Sequence, residues 1–161
     1  NTEILVGNDY YFLSYAAPYL GKVNIKTGSV EYLALPAQLI ASPESSKEDR
    51  YIESIQKVKN IPVNQKGLEV GAKGHNGAGY GHLCSASPIL VGNHLIIPVV
   101  TGTVYVIDTT KDFKNGAALV AVNDLGEANK TWTLSSFSYS KGRLYTHTMK
   151  EIICIENKDE D

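Results

Sequence analysis

Short apolar runs broken by tight, glycine-containing turns set the rhythm of this chain. Ile4-Leu5-Val6, the turn Gly7-Asn8 and the run Asp9-Tyr10-Tyr11-Phe12-Leu13 return almost letter for letter as Ile89-Leu90-Val91, Gly92-Asn93 and His94-Leu95-Ile96-Ile97-Pro98. A looser third copy is Phe137-Ser138-Tyr139-Ser140-Lys141-Gly142-Arg143-Leu144-Tyr145-Thr146. An apolar run, a two-residue turn and a second apolar run predict a β-hairpin. Each hairpin leads into a third strand that closes on an acidic or amide residue: Asn24, Asp108 and Glu156. From turn glycine to closing residue, Gly7 to Asn24, Gly92 to Asp108 and Gly142 to Glu156 span 17, 16 and 14 positions.

Beyond Asn24 and Asp108 the chain turns again, through Thr27-Gly28 and Asn115-Gly116, into predicted fourth strands at 29–35 and 118–122. Four short antiparallel strands in a repeat of roughly 40 to 50 residues is the blade of a β-propeller. The predicted fold is therefore all-β: about three blades of four antiparallel strands, interrupted by one short helical insertion. The units are a blade at 1–35, an insertion at 36–84, a blade at 85–128, an incomplete blade at 131–157 and an acidic tail at 157–161. Three blades fall short of the 4–8 that close a ring. The chain also opens on Asn1 rather than Met. It is expected to be the C-terminal part of a larger propeller.

The insertion carries two signals. Ser42, Pro43 and Glu44 read as an N-cap, a first helical position and an acidic first turn. Tyr51, Ile52, Ile55 and Val58 follow at helical spacing, which predicts a short helix covering the rim. Then comes Gly71-Ala72-Lys73-Gly74-His75-Asn76-Gly77-Ala78-Gly79-Tyr80-Gly81-His82. Five glycines in twelve residues make a loop whose backbone can approach a ligand closely. Lys73, His75, Asn76, Tyr80 and His82 are the candidate ligand-binding residues, for a small molecule or glycan. The other reading is a tightly packed loop whose His side chains bond backbone carbonyls. Two His seven apart without a third ligand do not make a metal motif, and no Gly-Lys-Ser/Thr ends the loop to cradle phosphate.

Ser87-Pro88-Ile89-Leu90-Val91-Gly92-Asn93, followed by Gly102-Thr103-Val104-Tyr105-Val106-Ile107-Asp108, resembles the blade consensus of pyrroloquinoline-quinone-like (quinoprotein-type) β-propeller repeats. Asn24 to Tyr32 is similar to the continuation of that consensus, with Asn24 for Asp, Ser29 for Lys and Tyr32 for Trp. The resemblance covers residues 3–35, 85–122 and 135–156. It implies a propeller from an exported protein, periplasmic, cell-surface or secreted. Two activities occur among such proteins. One is a non-catalytic scaffold or binding module that contacts protein or glycan through its loops. The alternative is a fragment of a quinone-dependent (PQQ) dehydrogenase. The alcohol dehydrogenases of that type stack the quinone between a tryptophan and a ring of adjacent cysteines. Here Cys84 is followed by Ser85, and Trp132 is the only Trp. No catalytic residue is assigned, and no cofactor is evident except PQQ by resemblance.

Composition narrows the partners. A net charge of −2 supplies no basic field for nucleic acid. No apolar stretch approaches the roughly 20 residues of a membrane-spanning helix. Expected partners are the remainder of the propeller or another protein chain, and a glycan or small molecule at the loop. Cys84 and Cys154 both sit in apolar strand-like runs and are expected to be buried free thiols.

Overall fold

The structure, a computed structural model, describes residues 3–13, 19–36, 38–39, 51–52, 86–127 and 131–156. Sheet 1 is built from β1 (Glu3–Val6), β2 (Asp9–Leu13), β3 (Tyr19–Asn24) and β4 (Val30–Ala34). A two-stranded piece follows, β5 (Gln38–Leu39) with β6 (Tyr51–Ile52). Sheet 2 comprises β7 (Ile89–Val91), β8 (His94–Pro98), β9 (Thr103–Asp108) and β10 (Leu119–Asp124). Sheet 3 has β11 (Ser138–Ser140), β12 (Arg143–His147) and β13 (Ile152–Glu156). Within each of the three larger sheets, every strand pairs antiparallel with its neighbour in the chain. The all-β prediction holds among the described residues, and the three repeated hairpins each belong to an antiparallel sheet of three or four strands.

The helical insertion is not supported. Among the described residues there is no helix, and Tyr51 and Ile52 are extended, paired with Leu39 and Gln38. The remaining positions of the predicted helix, 42–50 and 53–59, lie outside the described residues. Its spacing signal rested on four apolar residues, and two of them take ladder hydrogen bonds instead.

The hairpin turns explain the repeat and correct its alignment. Gly7 (φ 60°) and Gly92 (φ 58°) hold the first turn position in a left-handed conformation, which β-carbon-bearing residues avoid. In the third hairpin that position belongs to Lys141 (φ 50°), and Gly142 (φ 77°) stands second. Lys141, not Gly142, is thus the equivalent of Gly7, and its distance to Glu156 is 15 positions. The three closing residues then coincide, pairing across to the first residue after each turn: Asp9 with Asn24, His94 with Asp108, Arg143 with Glu156.

Those closing residues also organise the next turn. The Asn24 side chain donates to Asp9 Oδ1 at 2.8 Å, while its Oδ1 accepts from the amides of Lys26 and Thr27, both at 3.1 Å. Asp108 Oδ1 accepts from the Thr110 amide at 3.0 Å and its hydroxyl at 2.6 Å. The amide after each closing residue, Ile25 or Thr109, donates to the carbonyl of the hairpin asparagine, Asn8 or Asn93. A short acidic or amide side chain suits Asn24 and Asp108 because its oxygen can mimic a backbone turn at this position.

Packing follows strand alternation. Ile4, Val6, Tyr11, Leu13, Leu20 and Leu33 lie on one face of sheet 1 and share a core with Leu95, Ile97, Tyr105 and Ile107 of sheet 2. The opposite face of sheet 2, carrying Ile89, Val91, Ile96, Val104 and Val106, packs with Leu144 of sheet 3 and with Phe137 just before that sheet. Sheet 2 is therefore buried on both sides. Tyr11 meets Phe113 at 5.8 Å between ring centres, and the Tyr105 hydroxyl donates to the Pro36 carbonyl at 2.5 Å. Lys22 holds its ammonium 4.7 Å from the centre of the Phe113 ring while pairing with Glu31.

Candidate functional site

Lys73, His75, Asn76, Tyr80 and His82 all lie outside the described residues, as does Cys84. Among the described residues, the end of sheets 2 and 3 remote from the Gly-Asn hairpins is of chemical interest.

There the chain reverses at 99–103 after β8 and at 147–151 after β12. The polar and charged residues buried among those described are all threonines: Thr101, Thr103, Thr131, Thr133, Thr146 and Thr148. Threonine is β-branched, so it satisfies the extended backbone here while bringing a hydroxyl inside. Two of these hydroxyls donate to carbonyls: Thr133 to His147 at 2.7 Å and Thr131 to Glu127 at 2.9 Å. The Thr148 hydroxyl accepts from the Lys150 and Glu151 amides, both at 3.2 Å. Backbone bonds knit the segment between the sheets to both neighbours, Thr133 N to Val100 O and Met149 N to Trp132 O, each 3.0 Å. The hydroxyls of Thr101, Thr103 and Thr146 and the indole nitrogen of Trp132 are buried without a protein partner. Such groups are commonly satisfied by ordered water.

Next to this region, Thr131 presses its methyl and hydroxyl against Gly102 and Gly126. A Cβ on Gly102 would stand 2.5 Å from the Thr131 methyl, so this close approach requires glycine at φ 87°. Asp124 lies alongside, its carboxyl accepting from the Gly126 amide at 3.4 Å. Burial pushes the Asp124 carboxyl up to about 6, against the downward pull of the Gly126 and Leu125 amides. At the hairpin end the opposite holds. Hydrogen bonds from Thr110, first from its hydroxyl and then from its amide, hold Asp108 below its ordinary value, and Lys111 and His94 add to this. Burial pushes the Tyr11 phenol up to about 12, with the charges of Asp9 and Glu31 adding to it.

Trp132 lies in the segment without regular structure before β11, at 5% exposure, leaving no ring face open for a planar cofactor to stack on. No group of three His, Cys, Asp or Glu that could hold a metal ion occurs among the described residues. Cys154 is a free thiol, as expected, but it is exposed rather than buried. It sits in β13 on the face of sheet 3 away from sheet 2, where no further sheet covers it. No helix among the described residues is long and apolar enough to cross a membrane.

None of the buried threonines was singled out by the sequence reading. A signal existed, since Thr101-Gly102-Thr103 and Thr131-Trp132-Thr133 each flank an apolar or glycine residue with two threonines. No protein-family description matches the chain, and no curated protein matches it.

Proposed function

We propose that this chain belongs to a β-propeller that acts as a non-catalytic scaffold in an exported protein, binding protein or glycan through its loops. One observation carries the reading. Three consecutive antiparallel sheets, each with strands in chain order, stack face to face, and the same face of each sheet meets its successor. That is the arrangement by which propeller blades succeed one another around a ring. Export is carried by the family resemblance alone. The Gly-rich loop at 71–82 is the proposed contact, with Lys73, His75, Asn76, Tyr80 and His82 as its polar groups.

Two titrations test this. Retention on immobilised glycans or on an envelope protein, abolished in the double variant His75→Ala/His82→Ala with unchanged melting temperature, is the expected result. A stoichiometric, calcium-dependent absorbance shift on adding the quinone would overturn the non-catalytic reading in favour of a quinone-dependent dehydrogenase fragment.

A further inference from the structure

Asn115-Gly116 lies in the loop that carries the chain from β9 to β10, and both residues are exposed. Among the described residues Asn115 is the one asparagine followed by glycine: Asn8, Asn24, Asn93 and Asn123 precede Asp9, Ile25, His94 and Asp124. The Asn115 Oδ1 accepts from the Ala117 amide at 2.9 Å, an Asx turn. The ring closed by this bond contains both the side-chain carbonyl carbon of Asn115 and the amide nitrogen of Gly116. A nucleophile and an electrophile are thus held within one tight turn.

The surroundings favour their reaction. The Ala117 amide draws electron density from Asn115 Cγ and stands where negative charge collects when a nitrogen attacks that carbon. Gly116 has no β-carbon to block the approach, and nothing lies within 4 Å of where one would be. Its amide is held by a bond of 3.3 Å to the Phe113 carbonyl, longer than the 3.1 Å bonds from Ala118 to Asp112 and from Leu119 to Gly116. Because Asn115 is exposed, water can protonate and carry away the departing side-chain nitrogen.

We infer that Asn115 is a spontaneous modification site, converting through a cyclic imide to aspartate and isoaspartate and so loosening the junction of sheets 1 and 2. The Gly116 nitrogen gives up its proton and bonds to Asn115 Cγ. The bond from Cγ to the side-chain nitrogen breaks, and ammonia leaves with that proton. Water then opens the five-membered imide at either carbonyl. One water is consumed and one ammonia released, with no oxidant or reductant.

The neighbours give the change its effect. Phe113, two residues earlier, is 1% exposed, and its ring meets Tyr11 of sheet 1. Lys114 reaches Glu31 of β4 at 3.8 Å, and Lys22 of β3 lies over the Phe113 ring. The loop between β9 and β10 is therefore a clasp by which sheet 2 holds sheet 1. Isoaspartate routes the main chain through the former side chain, adding a methylene to the loop that the Ala118 amide and the Asp112 carbonyl close. Either product also sets a carboxylate beside Lys114, where it competes with Glu31 for the ammonium. None of this depends on the scaffold reading.

The test is to age the purified full chain in mildly alkaline buffer at physiological temperature and to follow the unit mass gain at each asparagine by peptide mapping. Asn24 is the internal control, since its Oδ1 also accepts main-chain amides while β-branched Ile25 follows it. Asn115 should convert about tenfold faster than Asn24 or more, a barrier lower by ~1.4 kcal/mol for each factor of ten. It should convert at least as fast in the folded chain as in a free peptide spanning 112–118. Gly116→Ala should slow the reaction, and Asn115→Gln, which would need a six-membered ring, should remove it. The aged fraction, separated by anion exchange, should unfold at lower urea concentration than fresh protein. Equal rates at Asn115 and Asn24, or a folded rate below that of the peptide, overturns the inference. An aged fraction with an unchanged midpoint overturns the loosening. So does a midpoint that falls on ageing in Asn115→Gln as well, since Asn76-Gly77 would then account for the loss.

Discussion

Leu95 and Ile96 are neighbours on β8 that point into different interfaces, and truncating each in turn measures whether the three sheets are one cooperative unit. Leu95 is fully buried in the core shared by sheets 1 and 2, and Ile96 is 6% exposed in the core shared by sheets 2 and 3. Leu95→Ala removes three carbons, about 2.4 kcal/mol at ~0.8 kcal/mol per methylene. The cavity left behind raises this to about 3–4 kcal/mol, because strands bonded on both sides cannot collapse into it. Ile96→Ala should cost slightly less, about 2–3 kcal/mol, given its partial exposure and smaller cluster. Urea unfolding followed by far-ultraviolet circular dichroism reports all strands. Fluorescence of Trp132, the only Trp, reports the segment leading into sheet 3. In a single cooperative stack both probes move together in both variants. If Leu95→Ala shifts the dichroism transition while the Trp132 transition stays put, sheet 1 docks as a separate module. A cost below about 1 kcal/mol for Leu95→Ala would refute the burial reasoning itself.

Three further outcomes follow from individual positions. Because the folded Asp124 carboxyl is raised to about 6 from 3.8, its contribution is fully present at acid pH and is lost as pH rises through about 6. At most this is worth ~3 kcal/mol, reduced by partial exposure to about 1. Asp124→Asn should match the wild type in urea melts below pH 4 and exceed it by about that amount at pH 7. Gly102→Ala forces a side chain into the left-handed region and into the Thr131 methyl, whereas Gly116 at φ 80° has open space around it. The first substitution should cost well over 2 kcal/mol and the second about 1, compared by chemical denaturation. Lys141 holds φ 50° at a turn position where its two counterparts are glycine. Lys141→Gly should therefore stabilise by up to about 1 kcal/mol, read as a higher denaturation midpoint.

The sheets were legible because hairpins are local: a Gly-Asn pair between apolar runs encodes turn and register together, as at Gly7-Asn8 and Gly92-Asn93. The closing residues were legible as a spacing but not as a function, since their pairing across to Asp9, His94 and Arg143 is made between strands. The helix expected at 42–59 failed at Tyr51 and Ile52 because apolar spacing over so few residues suits either period, and backbone pairing with Gln38–Leu39 decided it. Glycine matching placed Gly142 one position out, because a lysine there tolerates the left-handed conformation. Cys154 looked buried from its apolar neighbours, yet strand alternation puts it on the uncovered face. The candidate loop residues were chosen by composition, and they fall outside the part of the chain that the structure describes.

Burial of sheet 2 on both sides has a consequence for the unfolded chain. A strand covered on two faces carries no alternating polar positions, and Leu95-Ile96-Ile97-Pro98-Val99-Val100 contains no charge at all. Such a window is the kind that pairs with copies of itself when exposed during synthesis. Pro98 interrupts it. It sits at the end of β8, beyond the reach of β7, where a missing amide costs the native ladder nothing. In an extended intermolecular sheet the same missing amide would break the ladder at its most apolar point. Pro98 is thus placed where it opposes such pairing, within a segment whose apolar character the stacked fold requires.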